Sequence, residues 1–135
     1  MIETNKIFND WRDKGAFFFQ TLLRQEEDRW KRGHRSTMES LLAKKVGYFA
    51  YVKSYLGNDG IDYALVAGKT GSNAVIGRSD ICFGIYPQPG PAKKYLFDNH
   101  LRWNQEKILI IPANSEEEAF ETERKLQKDY RLLGS

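Results

Sequence analysis

Cysteine is almost missing from this chain: its 135 residues include one, Cys82. A lone thiol excludes an internal disulfide framework and a zinc site built from several cysteines. Long apolar runs are missing too. The densest early stretch, residues 17–23, is far too short to span a bilayer, so no membrane partner is expected. The first six residues are polar and lack the apolar centre of a secretory leader. A reducing cytoplasm is therefore the expected compartment. There is no internal repeat, low-complexity tract or Gly/Ser linker, and a chain of this length suits one compact domain. Net charge is only +3, so the total singles out no partner. A phosphate-binding P-loop is absent as well. Gly68-Lys69-Thr70 invites that reading, but the motif needs a glycine five residues before Gly68, where Tyr63 stands.

What is present is an ordinary globular composition, with 13% aromatic residues to build a dense core. Residues 1–45 read as an N-terminal helical extension of the same compact unit. Phe19, Leu22, Leu23, Glu26 and Trp30 approximate helical spacing, Gly33 is a stop, and Ser36 with Glu39 has capping-box form. Residues 47–55 are aromatic and β-rich, 57–60 read as a turn and 61–67 as a second strand, which makes an antiparallel hairpin. Residues 73–82 read as helix or irregular chain, and 87–91 as a loop. A helix is expected over 92–105 and a buried strand over 106–112. Ser115 with Glu118 forms a second capping box and opens the last helix. The expected fold is α/β in the α+β sense: a small three-stranded antiparallel sheet flanked by helices.

Two features carry chemistry. Arg29-Trp30-Lys31-Arg32-Gly33-His34-Arg35 has four formal positive charges and no acid. Such a run can neutralise phosphates, or it can be the solvated, dipole-complementing end of a helix. The second feature is Glu123. At 100° per residue it falls in the apolar stripe of Ala119, Leu126, Tyr130 and Leu133. A carboxylate turned to a core is costly unless paired, protonated or bound to a cation.

An aromatic hydroxyl on one strand, a Gly-Lys-Thr end on the next and an inward glutamate on a later capped helix together resemble the GIY-YIG nuclease family, over about residues 46–130. Phe49-Ala50-Tyr51 matches the first signature, with Tyr51 at its tyrosine position. Val66-Ala67-Gly68-Lys69-Thr70 matches the second in part, with valine replacing tyrosine. Tyr63, on the same strand, lies three residues too early and on the opposite face unless a bulge intervenes. Glu118-Ala119-Phe120-Glu121-Thr122-Glu123-Arg124-Lys125-Leu126 reproduces the family's glutamate helix.

The resemblance implies a metal-dependent DNA endonuclease, with residues 46–135 as its nuclease domain. Glu123 would hold Mg²⁺ (or Mn²⁺), an ion that needs few protein carboxylates. Tyr51 would orient or deprotonate the attacking water, Lys69 would bind phosphate, and Arg78 would stand at the family's arginine position. Lys53, two residues from Tyr51 and hence on its face, is a DNA-contact candidate. So are Arg29, Lys31, Arg32 and Arg35; Tyr63 and His100 are further candidates.

Each has a plainer reading: a core tyrosine, an exposed strand end, a surface arginine, a glutamate paired with cations, a packed histidine. The corresponding alternatives are a catalytically degenerate nucleic-acid-binding module and a small protein–protein interaction domain. Oligomeric state is open.

Overall fold

The computed structural model describes residues 1–19, 47–70 and 98–134. The chain enters through β1 (Ile2–Glu3), helix α1 (Thr4–Trp11), a 3₁₀ turn (Arg12–Lys14) and β2 (Phe17–Phe19). The long hairpin of β3 (Tyr48–Leu56) and β4 (Asp62–Thr70) follows. Next come β5 (Arg102–Ala113), helix α2 (Glu116–Tyr130) and β6 (Leu133–Gly134).

The fold is α+β. One sheet of six strands has the order β1-β4-β3-β5-β2; β6 also pairs with β4 and is the parallel member. The sheet is thus larger than three strands, because short pieces of the N-terminal segment and the chain end add to its edges. Residues 1–19 are not uniformly helical: only α1 and the 3₁₀ turn are, and Phe17–Phe19 pairs with Ile108–Ile110.

The central hairpin matches the sequence reading. Its turn closes with Gly60 N–H donating to Gly57 O (3.1 Å) and Gly57 N–H donating to Ile61 O (2.9 Å). Gly60 takes a φ of +79°, a conformation side chains avoid, and a Cβ at Gly57 would meet Asp59 Oδ1 at 2.8 Å.

Both helices lie on one face of the sheet. Ile7 and Trp11 of α1 and Leu126 of α2 share a core with Ala50, Val52, Ala67, Leu109 and Ile111. The helices also touch each other, Tyr130 Oη donating to Asp10 Oδ2 at 2.7 Å. Ser54 Oγ donates to Thr4 Oγ1 (3.1 Å) in a fully buried contact that ties α1 to the sheet. The second face is buried as well. Tyr55, Leu65, Val66 and Leu101 form its cluster, and Phe49, Tyr51, Ile108 and Ile110 have no exposed surface.

Helix α2 starts where expected. Ser115 Oγ accepts from Glu118 N–H (3.1 Å) and Glu118 Oε2 accepts from Asn114 N–H (3.2 Å). It stops at Tyr130: Arg131, at φ 56°, enters the left-handed region and its N–H donates to Gln127 O. Leu133 therefore belongs to β6 and not to the helix stripe.

The helix expected over 92–105 holds at Asp98, the first described residue in that range, and is corrected over 99–105. His100 has φ 55°, which a helix cannot contain, and β5 already begins at Arg102. Cross-strand pairing of Trp103 with Tyr55 and Arg102 with Leu56 overrides the local preference.

Candidate functional site

Which way each side chain faces follows from the register of β3 and β4. Ser54 pairs with Ala64, whereas Lys53 pairs with Val66, so Leu65 is an extra residue in β4. Uninterrupted pairing from Ser54–Ala64 would set Tyr51 opposite Ala67 and Phe49 opposite Lys69. Tyr51 and Lys69 would then share a face. The bulge shifts the frame: Tyr51 opposes Gly68, and Lys69 opposes Ala50. Ala50 lies in the core under the helices, so Lys69 faces α2, and Tyr51 faces the other side.

Lys69 meets α2 along one flank. Its Nζ lies 3.8 Å from Glu116 Oε1 and 5.8 Å from the centre of the Phe120 ring. Its charge also acts on Glu123, one turn further along. Glu116, Phe120 and Glu123 have the i, i+4, i+7 spacing that lines up one helix flank. Gln127 continues it, donating through Nε2 to Ala67 O at 3.2 Å.

Glu123 is half-buried at the shoulder of a stripe whose buried residues are Ala119, Thr122 and Leu126. Burial pushes its carboxyl above the usual 4.5, and the nearby Lys69 ammonium only partly opposes this. Among the described residues, the charged form is therefore short of positive partners.

The structure brings Lys69 and Glu123 together, and leaves the other described candidates elsewhere. Tyr51 has no exposed surface, and Lys53, on the same face, is 5% exposed. A phosphate in solvent does not reach either as they stand. Tyr63 shares the second face with Val66, because the bulge supplies the change of parity. It also lies six residues along β4 from Lys69, roughly 20 Å at strand spacing. Its hydroxyl donates to Asp59, which pushes the phenol up and holds the carboxyl down. His100 is exposed and precedes the start of β5, at the end of the sheet away from Lys69. Arg29, Lys31, Arg32, Arg35 and Arg78 lie outside the described residues.

Three residues on the Lys69 side escaped the sequence reading: Glu116, Phe120 and Tyr48. Tyr48 is half-buried and shares the parity of Ala50, hence the side of Lys69. Helical spacing back from Glu123 could have found Glu116 and Phe120. Tyr48 depended on the bulge, which the sequence does not announce.

Among the described residues no group of three or more His, Cys, Asp or Glu side chains converges as a metal cage. Mg²⁺ is bound through one or two carboxylates with waters and substrate phosphate. An under-compensated carboxylate such as Glu123 fits that more modest requirement. A separate cleft of about 770 Å³ opens on the other flank of α2, between Trp11, Pro112 and Glu121. It contains none of the candidate residues.

No family model matches the chain, and no curated protein or solved structure matches it either. No helix among the described residues is long and apolar enough to cross a membrane.

Proposed function

We propose that the protein is a metal-dependent DNA endonuclease of the GIY-YIG type that its signatures resemble. The observation that supports this best is the half-buried Glu123 carboxylate facing Lys69 between β4 and α2. In this reading Glu123 holds Mg²⁺ or Mn²⁺, which would neutralise phosphate charge and stabilise the leaving oxygen. Lys69 binds a phosphate oxygen, exchanging its loose contact with Glu116 for a charge-assisted hydrogen bond. The phenol is reassigned: Tyr48, on the Lys69 side, orients the attacking water, and Tyr51 packs the opposite face. Arg29, Lys31, Arg32 and Arg35 grip the DNA backbone, and Arg78 remains the family's arginine. Both roles rest on sequence alone.

Supercoiled plasmid tests the proposal. Nicked circles should form with Mg²⁺ or Mn²⁺ and vanish in Glu123→Ala and Lys69→Met. Tyr48→Phe should impair nicking more than Tyr51→Phe does. Nicking that persists in Glu123→Ala overturns the assignment.

A second reading, a DNA-binding module that no longer cleaves, is favoured by the enclosure of Tyr51 and by Val66 in place of a tyrosine. It predicts retarded plasmid without nicks.

A further inference from the structure

Phe120 sits on the solvent side of α2 with 43% of its surface exposed, although it is a large aromatic residue in a polar helix. Two cations attend its ring: Lys69 Nζ at 5.8 Å and Arg124 Cζ at 5.6 Å from the centroid. They come from different elements, one from β4 and one from α2. One helical turn on is Glu123.

An apolar plane with two long cationic side chains beside it matches the chemistry of a nucleotide. A base has a π face that stacks on an aromatic ring whatever its sequence, and its flanking phosphates seek ammonium and guanidinium groups. The base is neutral, so the neighbouring Glu116 and Glu123 do not repel it. Lone exposed aromatics are common. What distinguishes this one is the pair of cations, together with its position beside the lysine assigned to phosphate.

We propose that Phe120 is a stacking platform for one unpaired DNA base, with Lys69 and Arg124 taking the phosphates on either side of it. This rests on the nucleic-acid reading above and deepens it: the strand that reaches Glu123 is single-stranded, or has one base turned out, beside α2.

The test is anisotropy of a labelled single-stranded DNA oligonucleotide with EDTA present, so that no cleavage intervenes. Phe120→Ala should weaken binding about ten-fold, within the range one stacked base contributes. Phe120→Trp should bind as the parent does. The dependence on salt should be unchanged in both, since the cations remain. On an abasic oligonucleotide of equal length, parent and Phe120→Ala should bind alike.

Equal affinity of parent and Phe120→Ala for the normal strand overturns the proposal. So does an equal loss on the abasic strand, or a parent that does not bind single strands. Failure of the nuclease reading looks different: base-dependent binding persists, but the plasmid is never nicked.

Discussion

The buried hydroxyl pair of Thr4 and Ser54 tests whether the first helix is integral to the domain. Both residues have no exposed surface, and the 3.1 Å hydrogen bond between them joins positions 50 residues apart. Removing one partner strands the other in a dry site, at a cost of about 1–3 kcal/mol; removing both is far cheaper. Thr4→Val and Ser54→Ala should therefore each destabilise by about that amount. The double variant should lose no more than the worse single, a coupling of roughly 1–2 kcal/mol. In thermal melts, each single should fall by about 3–5 °C per kcal/mol in a chain of this size. Urea titration of all four proteins closes the cycle. Additive losses, or singles that melt with the parent, would refute the claim that α1 is docked through this contact.

Three further outcomes follow from the same physics. Tyr55 has a buried hydroxyl without a hydrogen-bond partner among the described residues, and burial pushes its phenol up. Tyr55→Phe should accordingly stabilise by roughly 1 kcal/mol in urea, and a loss would reveal a partner. Ser115→Ala removes the side-chain cap of α2 and should cost about 1 kcal/mol, with Ser115→Asp restoring most of it. Glu123 has a raised carboxyl, so the stability it contributes is present below the unfolded value and lost as pH rises through the folded one. Glu123→Gln cannot ionise. It should melt with the parent at pH 3 and above it at pH 7; a constant difference across that range would contradict the assigned cause.

The sequence revealed those elements whose signals are local. The β3–β4 hairpin has β-rich strands around a Gly57–Gly60 turn, and at the start of α2 Ser115 Oγ accepts from Glu118 N–H while Glu118 Oε2 accepts from Asn114 N–H. The first half of β5 was hidden because Arg102 to Lys107 is largely polar and takes its shape from Tyr55 and Leu56 across the sheet. β1 and β2 are two and three residues long, too short to show a period. For the candidate site, helical phase turned Glu123 inward, and the family resemblance is what set Lys69 beside it. The facing of Tyr51 did not, because one unpaired residue in β4 reverses parity and leaves no compositional trace.

Leu65 thus acts as a hinge in the reading frame of its strand. β1 fastens to β4 ahead of it, at Tyr63 and Ala64, and β6 fastens behind it, at Val66 and Ala67. Excising that single leucine would restore plain alternation, because Ala64 and Val66 already point to opposite faces. Flattening the bulge with Leu65 still in the strand would instead set the two edge strands at odds: either β1 lets go, or every residue from Val66 to Thr70 turns over and carries Lys69 away from its helix. A slip of register here would relocate a functional group by inversion, with no change in its identity.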